Sequence, residues 1–194
     1  MRIISGIARG TKISSIQSLS TRPTLDRVKE SLFNILQNEI KDSIVLDLFA
    51  GSGALGIEAL SRGARTAVFC DKNYEATKVI YQNLVRTHFK ENAKVINSDY
   101  KKALTNLNKQ RFSFDIIFLD PPYKEDLAGN AIKQILELNL LKSGGTIIIE
   151  TDEITRDNQE INEIIKNNNF KNTYIKDRRK YGRANLIFLS MDWS

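Results

Sequence analysis

The chain has 194 residues, 41% of them hydrophobic, and a formal net charge of +6. That is enough apolar material to close one core; the single cysteine, Cys70, excludes an internal disulfide, and no stretch approaches the roughly 20 apolar residues of a membrane span. With no apolar run in MRIISGIARG long enough for a signal peptide, the expectation is a cytoplasmic monomer whose basic excess suits a polyanionic partner.

Residues 2–16, RIISGIARGTKISSI, alternate apolar and polar positions and are broken by Gly6 and Gly10, which predicts a small hairpin. The expected organisation is an N-terminal hairpin extension over 1–20 and one main domain over 21–194. Pro23 and Thr24 announce a helix in which Leu25, Val28, Leu32, Ile35, Leu36 and Ile40 form one apolar stripe. From Ser43 onward, apolar runs at 44–49, 66–70, 93–97, 114–119 and 145–150 alternate with helix-length segments. Such alternation predicts an α/β fold with a parallel sheet covered on both faces, and the unbroken runs Ile116–Leu119 and Ile147–Ile149 should be its central strands. A last helix near 158–168 precedes extended segments at about 170–177 and 184–191, close enough to pair as an antiparallel hairpin.

The charge is concentrated at the two ends. Arg2, Arg9, Lys12, Arg22, Arg27 and Lys29 face only Asp26 and Glu30 in the first thirty residues. Between Lys166 and Arg183, seven cations face only Asp177.

Gly51, Gly53 and Gly56 satisfy GxGxxG directly after a strand and at the mouth of a helix, and Asp71 follows Gly51 by 20 residues at the end of the next strand. This is the spacing of an adenosine-cofactor loop: glycine lets the ligand approach the backbone, and the acidic residue accepts from ribose hydroxyls. Asp47, at the end of the first strand, discriminates between ligands. A carboxylate there suits the cationic amino acid moiety of S-adenosyl-L-methionine and repels a pyrophosphate; the structural alternative is a cap for the following helix. Ser98 and Asp99 follow the third strand, where an acidic side chain can accept from an adenine amino group, with Tyr100 either flanking that ring or packed in the core.

Asp120, Pro121, Pro122 and Tyr123 end the fourth strand. The prolines stiffen the loop. The Asp120 carboxylate and the Pro121 carbonyl can accept from an exocyclic NH2 while Tyr123 stacks on a base, so the tetrapeptide suits a planar heterocyclic amine and methyl transfer to its nitrogen. Cys70 reads as core and His88 as solvated, and no Cys or His cluster has metal-ligand spacing, so no metal is expected.

Four blocks, RIISGIARGTKI, TRPTLDRVKESLFNIL, LDLFAGSGALGIEALSRGA and FLDPPY, resemble the RsmD family of bacterial 16S rRNA guanine-N2 methyltransferases over essentially the full length. The resemblance implies a class I, Rossmann-like fold dependent on S-adenosyl-L-methionine. Its seven-stranded, mostly parallel sheet would have one antiparallel strand and follow an N-terminal β-hairpin. It implies that Asp47, Phe49, Gly51, Ser52, Gly53, Asp71, Lys72, Ser98 and Asp99 line the cofactor site, with Thr24 and Arg27 closing over it. By the same resemblance, Asp120 to Tyr123 take the guanine, and Arg2, Arg9, Lys12 and Arg22 contact phosphates of 16S rRNA or a pre-assembled small subunit. Phe49 stands where many class I members carry the first glycine. The alternatives are methylation of adenine N6 or another nucleic-acid base, an NAD-binding oxidoreductase resting on GxGxxG and Asp71 alone, and a non-catalytic nucleic-acid-binding module.

Overall fold

Alternating strands and helices of this length can bury both faces of a parallel sheet only by crossing over through helices, and the computed structural model has that form. It describes residues 1–15, 23–121, 127–151, 154–167, 170, 172–182 and 184–192. Seven strands make a mixed, mostly parallel sheet, and the chain divides into two compact units, Met1–Tyr100 and Lys101–Ser194.

The first unit holds α1 (Pro23–Ile35), β1 (Ile44–Asp47), α2 (Ala54–Ser61), β2 (Thr66–Asp71), α3 (Tyr74–Arg86) and β3 (Ala93–Asn97). Its strands lie in the order β3-β2-β1, all parallel, with Asp47 opposite Phe69 and Asp71 opposite Asn97. β2 runs two residues past the end of β1, so Asp71 stands level with the loop that follows β1. Val28, Leu32, Phe33 and Leu36 are buried along the α1 stripe, as their spacing requires. The helix closes at Ile35, earlier than the stripe suggested. Leu36 and Ile40 are still buried, but in a turn that ends at Asp42 with φ 62°.

The N-terminal segment is less regular than the expected hairpin. One isolated antiparallel bridge joins Arg2 and Lys12, supported by Ile3 N–H donating to Thr11 O at 3.0 Å. Regular strands do not form because the segment gives its backbone donors to α2 instead. Ile4 N–H and Ser5 N–H donate to Glu58 at 2.8 and 2.9 Å, and Ile7 N–H and Ala8 N–H donate to Ser61. The approach is so close that a Cβ on Gly6 would lie 1.7 Å from Ser61 O. Glu58 is fully buried, and its charge is met by Arg62 Nε at 2.9 Å and Lys29 Nζ at 3.3 Å. Lys29 in turn donates to Arg2 O. A buried carboxylate persists when cations and N–H donors together offset its desolvation.

The second unit holds α4 (Tyr100–Lys109, of which Tyr100 belongs to the first unit), β4 (Phe114–Leu119), α5 (Leu127–Glu137), β5 (Leu141–Thr151), α6 (Ile154–Asn167), β6 (Thr173–Tyr181) and β7 (Ala184–Met191). Its strand order is β4-β5-β7-β6. β4 and β5 are parallel, and β7 runs against both β5 and β6, which makes it the one reversed strand and confirms the expected terminal hairpin. β5 starts four residues before its apolar run, because Leu141 pairs with Phe114 ahead of a register shift, and Lys142 bonds Asp115 beside it. Ile116 to Leu119 and Ile147 to Ile149 are buried as expected of inner strands.

Replacing Glu58 by Ala should cost about 3–5 kcal/mol of unfolding free energy, since Lys29 would be left buried without its partner. The variant should also open residues 1–15 to proteolysis. A loss under about 1 kcal/mol in urea unfolding, with the segment still protected, would contradict this view of the clamp.

Candidate functional site

β1 ends at Asp47, and Gly51 to Gly53 lead directly into α2. The three glycines of the loop do three different things. Gly51 has φ 53°, and a Cβ there would meet nothing within 4 Å, so its backbone borders open space. Gly53, at φ 76°, is the N-cap of α2 and offers no side chain to the helix. Gly56 lets α2 lie directly on β2, because a Cβ there would stand 2.3 Å from the Phe69 ring.

Two carboxylates accept from backbone N–H groups around this glycine-rich start. Gly56 N–H donates to Asp47 Oδ2 at 3.0 Å, a favourable place for negative charge at a helix N-terminus. Gly51 N–H donates to Asp71 Oδ2 at 2.8 Å, and Asn73 N–H donates to Asp71 Oδ1 at 2.8 Å. The capping alternative for Asp47 is thus realised. Each Asp71 oxygen still has acceptor capacity beyond its one bond.

Asp47 is buried, and burial drives its carboxyl up to about 7; the Gly56 bond opposes that shift and the Asp71 charge adds to it. Among the described residues no cation pairs with it. The third strand closes the arrangement. Ser98 N–H donates to Asp71 O, Asn97 Nδ2 donates to the carbonyls of Asp71 and Lys72, and Cys70 Sγ donates to Ser98 O at 3.5 Å. Burial, followed by the charges of Asp71, Asp99 and Asp47, pushes the Cys70 thiol up to about 12, which fits a core residue and no nucleophile. Three carboxylates around one strand edge set a negative field there. Such a field favours a cationic, hydroxyl-rich ligand and disfavours a pyrophosphate.

The remaining expected site residues fall as follows. Phe49 packs on Tyr100, ring centroids 5.6 Å apart, and Tyr100 is buried. Ser52 is buried and its carbonyl accepts from Asn83. Lys72 and Asp99 are exposed, as are Arg2, Arg9, Lys12 and Arg27. Thr24 lies in the first turn of α1. In the second unit Asp120 is exposed just past β4 and Pro121 is buried. Arg22, Pro122 and Tyr123 lie outside the described residues. Sequence reasoning missed Asn97, which braces the Asp71–Lys72 backbone, and Asn83, which joins Ser52 O to both backbone groups of Ser14. An asparagine on a buried helix face was the only available signal for Asn83.

A family model described as conserved hypothetical protein 95 matches residues 1–190. The chain is 42% identical over 154 residues to ribosomal RNA small subunit methyltransferase D of Haemophilus influenzae, covering 79% of each. It is 41% identical to a putative rRNA methyltransferase, YlbH, of Bacillus subtilis, covering 78% of this chain and 83% of the relative. Among solved structures, a putative methyltransferase of Escherichia coli superposes with a TM-score of 0.79 at 30% identity, covering 100% of this chain and 99% of the other.

The buried Asp47 gives the ligand-free protein a defined pH response. The folded carboxyl holds its proton to about pH 7, whereas the reference carboxyl releases it near 3.8. The folded state therefore binds more protons across that window, and stability falls as pH rises through it. Urea unfolding at a series of pH values should show that fall in the wild type and a flatter profile in Asp47→Asn. Parallel profiles would contradict the assignment.

Proposed function

The chain belongs to the family described as conserved hypothetical protein 95, and from that premise we propose that it transfers a methyl group from S-adenosyl-L-methionine to the exocyclic N2 of a guanine in 16S rRNA of the small ribosomal subunit. The observation that carries the reading is the open backbone at Gly51, flanked by Asp47 and Asp71, with Asp99 adding charge to the same edge. An ammonium group, a ribose diol and an adenine amino group are the features this donor set fits, and S-adenosyl-L-methionine has all three. Asp47 balances the ammonium, Asp71 accepts from the ribose hydroxyls, and Asp99 beside Ser98 accepts from the adenine amine. Phe49, Ser52, Gly53 and Lys72 complete the lining, and Thr24 and Arg27 close over it.

When bound, the cofactor supplies a methyl group activated by its sulfonium. The chain supplies orientation and charge. In this reading the Asp120 carboxylate and the Pro121 carbonyl accept from the guanine NH2, which fixes the nitrogen lone pair and stabilises the positive charge that grows on it. Pro122 holds the loop and Tyr123 stacks on the base. A guanine within folded RNA must be splayed out to be held this way. Arg2, Arg9, Lys12 and Arg22 take phosphates, consistent with an N-terminal segment that carries cations and no carboxylate in residues 1–25. Names of relatives support rRNA of the small subunit as the substrate, and a pre-assembled particle is the form proposed here.

Small-subunit particles from cells lacking the enzyme should accept labelled methyl groups, and nucleoside analysis should return N2-methylguanosine. Asp120→Ala should lower kcat by roughly a hundredfold or more while leaving S-adenosyl-L-methionine affinity unchanged. N6-methyladenosine, or no label in 16S rRNA, would overturn the reading, and normal turnover by Asp120→Ala would overturn the assignment of the base-holding loop.

A further inference from the structure

β5 lies between β4 and β7, and Glu150, near its carboxyl end, is half-buried directly after Ile147, Ile148 and Ile149. It pairs with Leu186 on β7, which in turn pairs with Arg179 on β6. That row offers Glu150 no neutralising charge. Leu186 is apolar and buried, and Arg179 Nε is already engaged with Asp177 Oδ2 at 2.9 Å. Among the described residues no donor or cation is bonded to Glu150, and burial raises its carboxyl above the ordinary range. A carboxylate taken from water without such partners costs stability, and groups of this kind collect at functional sites.

On its other side Glu150 borders the loop assigned to the base. β4 and β5 are parallel, and their last paired rung joins Leu119 to Ile149. Paired residues of adjacent strands point to the same face of the sheet. Asp120 and Glu150, one residue farther on, therefore leave β4 and β5 side by side at the carboxyl edge, where open α/β sheets take their ligands. Strand spacing sets them roughly 4.8 Å apart along the backbone, a separation from which two carboxylates can reach neighbouring N–H groups of one ring. The end of β5 is fixed in place, since Asn185 Nδ2 on β7 donates to Thr151 O at 3.3 Å.

We propose that Glu150 determines which base is methylated, its carboxylate accepting from guanine N1–H while Asp120 accepts from the exocyclic N2 amino group. This rests on the guanine-N2 reading above and adds to it the group that tells guanine from the other amino-bearing bases. Guanine alone presents a ring N–H beside its NH2. Adenine carries the N1 lone pair at that place and cytosine the N3 lone pair, and a carboxylate repels either. A site that leaves its own acceptor unpaired with the wrong base discriminates more steeply than one that excludes by size. The unpaired state of Glu150 in the ligand-free fold is what such a role requires.

The test is methylation of small-subunit particles from cells lacking the enzyme, carrying either guanine or adenine at the methylated position. The wild type should make N2-methylguanosine and leave the adenine particles unmodified. Glu150→Gln should lower kcat/KM for guanine roughly tenfold or more and narrow the preference over adenine, because the amide can donate to adenine N1. S-adenosyl-L-methionine affinity should not change. Urea unfolding should find Glu150→Gln and Glu150→Leu at least as stable as the wild type, since each removes a carboxylate that the fold does not compensate. Wild-type kcat/KM and selectivity in Glu150→Gln, or a loss of activity matched by a loss of stability, would overturn the proposal; N2-methylguanosine from the wild type would leave the functional reading standing in either case. A wild type that methylates no guanine N2 would overturn both.

Discussion

A helix that begins where a parallel strand ends leaves its first N–H groups facing the ligand edge of the sheet, and a glycine-rich start supplies no side chain to take them. Here a carboxylate takes one of them. Asp47 holds Gly56 N–H in the first turn of α2, and Asp71 holds the N–H groups of Gly51 in the preceding loop and of Asn73 at the start of α3. Phosphate-binding loops leave such donors pointing at the ligand; this loop sets two carboxylates beside them. The glycine spacing is shared with dinucleotide loops, and the carboxylates reverse its preference from anion to cation. The desolvation of Asp47 is the cost of that reversal, visible in a carboxyl driven up to about 7, and a ligand bearing positive charge is what would relieve it.

The same helix is fixed from its other end. Glu58 and Ser61 collect backbone donors from residues 4–8, while Lys29 ties α1 to Glu58 and to Arg2. The N-terminal segment is thus bound to the helix that follows the glycine loop. Its exposed cations are presented from a segment that Asn83 and Arg86 also tie to α3. Asn83 also holds Ser52 O, so one side chain links the glycine loop to the basic segment.

Much of this was legible in the sequence. Apolar runs gave β1, β2, β3 and β4 to within two residues; β1, β2 and β4 are mostly buried, as continuous apolar strands must be, while β3 at the sheet edge carries Lys94 and Asn97 and is only half-buried. The glycine spacing with Asp71 located the loop, because Gly51 and Gly53 take positive φ and Gly56 leaves room for the Phe69 ring. What could not be read was long-range. That Leu141 pairs with Phe114 ahead of the apolar run of β5, and that Glu58 clamps residues 4–5, both depend on partners distant in sequence. The N-terminal alternation pointed to a hairpin, but the donors went to α2.

The central claim is that the carboxylate-lined loop selects a cationic adenosine ligand. Calorimetric titration of the ligand-free protein with S-adenosyl-L-methionine and with NAD, repeated between pH 6 and pH 8, tests it most directly. The account predicts binding of S-adenosyl-L-methionine that tightens as pH rises through about 7, where Asp47 ionises, with protons released at the lower end of the range and no measurable binding of NAD. Preference for NAD, or affinity for S-adenosyl-L-methionine that is flat across that range and unchanged in Asp47→Asn, would contradict it.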